Sequence, residues 1–140
     1  MPARYRDPVV TPPTLGQRIT VAWNGSAEAV RAIASALPLL QRAQQVGVVV
    51  LDAGIGGDLH GDDPGTDIAR YLARQGGRVE VSSAVVGIDA SEALLSFAGK
   101  KQSDLIVMGA YGHSRFREIV LGGMTRGVLA ASAIPLWMSH

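Results

Sequence analysis

Gly109, Gly112 and Gly122 are separated by two and then nine residues, and they directly follow the apolar run Leu105-Ile-Val-Met108. A buried strand that opens into spaced glycines and then a helix start leaves backbone N–H groups free to face an anion. Gly123, Met124 and Thr125 close the stretch, and Thr125 adds a hydroxyl within reach of a phosphate. His113 sits inside the loop, Met108 and Met124 bracket it, and Arg115, Arg117 and Arg126 flank it. Amides backed by guanidinium groups suit a polyphosphate.

Other chemistries find no support. Gly99-Lys100 lacks the upstream glycine of a nucleoside-triphosphate P-loop, and Gly54-x-Gly56 has Leu59 where a dinucleotide fingerprint needs its third glycine. No serine stands in a nucleophile elbow, and the histidines are His60, His113 and His140, so a hydrolytic triad is not expected. No residue stands out as a catalytic base, and any ATP turnover is expected to be slow and incidental. Asp58, His60, Asp62 and Asp63 fall in a glycine-rich stretch without the firm spacing of a hard-cation site, so no metal is assigned. The absence of cysteine excludes disulfides, thiolate zinc sites and a thiol nucleophile.

The elements that must hold the loop read as alternating strands and helices. Ile19 to Trp23, Val46 to Leu51, Arg78 to Val86, Leu105 to Met108 and Ile134 to Met138 are apolar or β-branched runs of strand length. Ser26 offers an N-cap to a helix over 27–43, where Val30, Ile33, Ala34, Leu37 and Leu40 recur at helical spacing and Pro38 falls inside. Residues 53–65, with five glycines, three aspartates and a proline, read as a loop. A short helix from Asp67 to Gln75 has Ile68, Tyr71 and Leu72 inward. Ser91 caps a further helix with Leu94, Phe97 and Ala98 inward, and Thr125 to Ala131 gives the last. This alternation predicts βαβ units and an open five-stranded parallel sheet with helices on both faces. Ligands in such folds bind beyond the carboxyl ends of the strands, which here are Ala22 to Ser26, Val50 to Asp52 and Gly109 to Thr125.

From residue 18 to 140 the chain resembles the universal stress protein family, whose nucleotide loop reads Gly, two residues, Gly, nine residues, Gly, then Ser or Thr. The resemblance implies a Rossmann-like fold with strand order 3-2-1-4-5. It also implies a regulatory or stress-response role with adenine nucleotide, ATP, as ligand. Where nucleotide-binding members end their first strand in an aspartate toward the ribose, this chain has Asn24, preceded by Ala22 and Trp23. Val50 falls beside the adenine, Gly109 and Gly112 let amides approach the phosphates, and Gly122, Gly123 and Thr125 close the site. Gly123 replaces a phosphate-contacting hydroxyl, and together with Asn24 it motivates the alternative of a relative that binds no nucleotide and acts through protein contacts. Family members commonly dimerise through the last strand, so a homodimer through Ile134 to Met138 is expected.

Length and composition bound the rest. A chain of 140 residues with 47% apolar content suits one domain. Four prolines among the first thirteen residues mark residues 1–17 as an extended leader or linker ahead of a domain at 18–140, as in the second half of a tandem chain. Thirteen basic against twelve acidic side chains give a net charge of +1, which argues against nucleic acid as partner. No segment has the length of a membrane span or the apolar core of a signal peptide, and a cytoplasmic location is expected.

Overall fold

The computed structural model describes residues 15–52, 64–76, 78–85, 90–110 and 125–139. The first strand, β1 (Arg18–Trp23), is buried at every position after Arg18, as a strand covered on both faces must be. The chain then alternates through α1 (Ala27–Arg42), β2 (Gln45–Asp52), α2 (Pro64–Arg74), β3 (Val79–Val85), α3 (Ala90–Lys100) and β4 (Leu105–Gly109). Residues 125–131 form a further helix, α4, before β5 (Leu136–Ser139). All five strands are parallel, in the order β3-β2-β1-β4-β5 that the family resemblance implies.

Two apolar clusters sandwich the sheet. Ile19, Val21, Trp23, Val46, Val48, Val50 and Val107 pack beneath α1 and α2, while Ala22, Val49, Ile106 and Met108 pack beneath α3 and α4. Alternate residues of each strand therefore serve opposite layers, which is why these strands read as unbroken apolar runs.

The helix faces depart from expectation in an informative way. On α1 the buried residues are Glu28, Ala29, Ala32, Ile33, Ala36 and Leu40, while Val30 is half exposed and Ala34 faces outward. Ile33 and Leu40 face the sheet as expected, and the alanines that join them in place of Val30 and Ala34 let the helix backbone approach it closely. Tyr71 of α2 is likewise exposed, leaving Ile68 and Leu72 to anchor that helix. Pro64 opens α2, earlier than the glycine-rich composition suggested; proline is favoured in a first helical turn, where its missing N–H costs nothing. Ser91 lies within α3 instead of capping it, and packs against Gly127 of α4 so closely that a Cβ there would overlap its Oγ.

The last strand starts at Leu136, two residues later than its composition suggested. Ser132 Oγ both accepts from the Ile134 N–H at 3.0 Å and donates to the Ile134 carbonyl at 2.8 Å, so Ile134 belongs to the turn. Pro135 has no N–H but its carbonyl accepts from Ile106 N–H at 3.0 Å, leading the chain into pairing. At the amino end of the sheet, the buried Asp104 carboxylate accepts from the N–H groups of Gly16 (2.9 Å), Gln17 (3.0 Å) and Arg18 (3.1 Å), tying the entry to β1 to the start of β4. No helix among the described residues is long and apolar enough to cross a membrane.

Candidate nucleotide site at the strand carboxyl ends

Register assembles the site. Trp23 pairs with Val50, and Val21 pairs with Val107, so continuing the parallel ladder sets Gly109 level with Trp23 and Met108 level with Ala22. Ala22, Trp23, Val50, Met108 and Gly109 thus meet on the last rungs of three adjacent strands. The Trp23 and Val50 side chains belong to one core cluster and those of Ala22 and Met108 to the other. What these residues offer a ligand is therefore backbone. From these five residues a purine or a phosphate would meet strand-end carbonyls and amides.

Beyond β1 the chain turns tightly. Asn24 Oδ1 accepts from Ser26 N–H at 3.0 Å, Gly25 takes φ +77°, and Ser26 Oγ accepts from Ala29 N–H at 3.1 Å to cap α1. This Asx turn engages the acceptor of the Asn24 amide. Its Nδ2 donors remain for a ligand, whereas an aspartate there would offer acceptors only. The turn also aims the amino terminus of α1, with its unpaired N–H groups and positive dipole end, at the end of β4.

Gly109 is where the two elements touch. An ideal Cβ at this position would lie 2.6 Å from Ala29 N and 2.7 Å from the Glu28 carbonyl carbon. The glycine is thus required by helix–sheet packing independently of any phosphate. Glu28, which no sequence motif marks, is only 3% exposed. Its Oε2 receives a long contact of 3.4 Å from Arg31, and its Oε1 has no hydrogen-bond partner. An acid in a first helical turn reads from sequence as a dipole partner; the only hint of burial is Ala32 and Ala36 at four and eight residues on, which continue a ridge of small side chains.

Thr125 is buried at the first described residue of α4, and Arg126 beside it is exposed. Gly112, His113, Gly122, Gly123 and Met124 lie outside the described residues, as do Arg115, Arg117, Asp58, His60, Asp62 and Asp63. Among the described residues no group of three or more His, Asp or Glu side chains is placed to hold a metal ion.

A five-stranded parallel sheet of this order, with a glycine-bearing strand end facing a capped helix, coincides with a sequence match. The profile of the universal stress protein family matches residues 16–140. The chain belongs to the universal stress protein family. Universal stress protein Slr1230 of Synechocystis sp. is 39% identical over 67 residues, 48% of this chain and 23% of that protein, so the chain spans under a quarter of that relative's length. A universal stress protein solved in complex with cAMP superposes with TM-score 0.65 at 20% identity, covering 91% of this chain and 98% of that one. The Archaeoglobus fulgidus universal stress protein in complex with dAMP superposes with TM-score 0.61 at 20% identity, covering 89% and 98%. At these identities the superpositions speak for the shared fold.

Proposed function

We propose that this universal stress protein domain binds an adenine nucleotide, ATP, at the carboxyl ends of β1, β2 and β4, and serves a regulatory or stress-response role and not that of a metabolic enzyme. The observation that carries the reading is the rung Trp23–Val50–Gly109 with the capped amino end of α1 beside it. Backbone groups of three strands and a helix terminus converge there. That relatives of this fold were solved with cAMP and dAMP supports an adenine ligand. Within the site, Val50 serves the adenine through backbone groups and Asn24 Nδ2 meets the ribose. Gly109, Gly112, His113, Gly122, Gly123, Met124 and Thr125 surround the phosphates.

A second reading is favoured by one observation: the Asn24 carbonyl oxygen already accepts from the turn at 3.0 Å, which leaves it one lone pair where a carboxylate would present a second oxygen to the ribose. In that reading the domain binds no nucleotide and works through protein contacts. Isothermal titration of the protein with ATP, ADP, AMP and cAMP separates the two. Saturable heat at micromolar to millimolar ATP supports the first reading, and none at millimolar nucleotide establishes the second. The domain is taken as residues 18–140 behind a leader, it acts in the cytoplasm, and it pairs as a homodimer through β5, which lies at the sheet edge.

A further inference from the structure

A second concentration of charge lies at the opposite end of the sheet. Arg18 pairs in register with Gln45. Val46 pairs with Val79 and donates its N–H to the Arg78 carbonyl at 2.8 Å, so Arg78 extends the same row one strand further. At about 4.8 Å between strands, the two arginine Cα atoms stand roughly 10 Å apart with Gln45 between them. Residues paired in register project from one face of a sheet. Glu80, two residues beyond Arg78, shares that face and receives Lys101 Nζ at 2.6 Å and Gln45 Nε2 at 3.5 Å.

The acids at this end are thus engaged. Glu80 is held by Lys101, and Asp104 is buried on three backbone N–H groups. Arg18 and Arg78 are exposed and have no carboxylate partner among the described residues. Arg42, Arg74 and Lys100 end α1, α2 and α3 at the same end of the sheet, where helix carboxyl termini attract cations. No such demand accounts for the strand-start arginines. Among the described residues this end of the sheet therefore carries six cations and two engaged acids, in a chain whose net charge is +1. Between them runs an open groove of about 730 Å³ lined by Arg18, Gln44, Gln45, Gly76, Arg78 and Glu80.

We infer that this groove is an anion site distinct from the strand carboxyl ends, taking a linear polyphosphate whose outer phosphates are held by Arg18 and Arg78. Guanidinium forks match phosphate oxygens two at a time, and the Gln45 amide between them donates to the bridging unit. Among the described residues the groove has no aromatic lining on which a base would stack, so a phosphate chain suits it better than a nucleobase.

The test is titration of the full chain with tripolyphosphate, followed by calorimetry and by amide chemical shifts. Tripolyphosphate should bind at least tenfold more tightly than inorganic phosphate at low salt, with the largest shifts at Arg18, Gln45 and Arg78. R18Q combined with R78Q should weaken it tenfold or more, whereas R70Q, which removes an exposed charge on α2, should leave it unchanged. Shifts centred on Gly109 and Thr125, equal losses in R70Q and the double variant, or no binding at all would each overturn the assignment. Because the shifts report the two ends of the sheet separately, failure here and failure of nucleotide binding are read independently.

Discussion

Gly109→Ala tests whether the close approach of α1 to β4 is a packing requirement. The added methyl carbon would stand 2.6 Å from Ala29 N, 2.7 Å from the Glu28 carbonyl carbon and 2.8 Å from Glu28 Cβ. Ordinary contact lies near 3.5–4.0 Å, so helix or strand must retreat by on the order of 1 Å. Two of the three atoms are backbone of a capped helix, and no rotamer change relieves the overlap. Overpacking of this kind costs about 1–3 kcal/mol. Removing glycine from a strand returns some 0.5–1 kcal/mol through the unfolded chain. The net expectation is a loss of about 1–2 kcal/mol, a fall in Tm of roughly 3–8 °C for a chain of this size. Gly99→Ala is the control: a Cβ there meets nothing within 4 Å, so the same change on α3 should stabilise by about 0.5–1 kcal/mol. Urea denaturation of both variants reads the difference. A Gly109→Ala protein as stable as its parent would refute the argument, since it would mean that α1 yields freely. Where the cost does appear, a drop in ATP affinity of the folded protein would show that the α1 amino terminus forms a wall of the site.

Three further outcomes can be checked on the same material. Glu28→Leu should raise Tm by roughly 3 °C, because relief of an unsatisfied buried oxygen, about 1–3 kcal/mol, outweighs a long ion pair and a favourable place on the helix dipole, together about 1 kcal/mol; a fall in Tm would show that the carboxylate is better satisfied than its geometry indicates. Asp104→Ala should cost about 3 kcal/mol and release the segment at Gly16 to Arg18, read as faster hydrogen exchange of those three amides with little change at Gly109. Light scattering at tens of micromolar should give twice the 14.6 kDa of the chain if β5 pairs at the sheet edge, and a monomer would remove that proposal.

The central strands were legible because β1, β2 and β4 are near-continuous apolar runs, and a parallel sheet covered on both faces demands that pattern. Helix orientation was less so. Hydrophobicity alone ranks Val30 and Leu37 above Ala29, Ala32 and Ala36, yet the sheet accepts the alanines because they bring two backbones together. Spacing singled out Gly109 together with Gly112 and Gly122, which lie outside the described residues, while the helix–sheet contact that requires a glycine at 109 is nothing that spacing encodes. Neither the Trp23–Val50–Gly109 rung nor the Arg18–Gln45–Arg78 row is visible in the sequence, since register across crossovers of about 30 residues is set by helix packing. Glu28 was invisible for the same reason: its burial depends on how closely α1 sits.

Helix polarity links the two ends. Every strand runs parallel, so α1, α2 and α3 all begin at the strand carboxyl ends and finish at the amino ends, carrying Glu28, Asp67 and Glu92 in their first turns and Arg42, Arg74 and Lys100 in their last. Side-chain charge is thereby sorted along the sheet in the sense opposite to the helix dipoles. Among the described residues the first turns at the carboxyl ends carry acids, so what those residues offer a nucleotide is oriented amides, whose short-range contacts are little screened by salt. At the amino ends an anion would be held by exposed guanidinium groups, which salt screens readily. Raising salt from 50 to 300 mM should therefore weaken tripolyphosphate at the groove several-fold more than it weakens ATP at the Gly109 site. Equal salt sensitivity would mean that both anions are drawn by the same exposed cations, and the division of the molecule into an amide-built site and a charge-built one would fail.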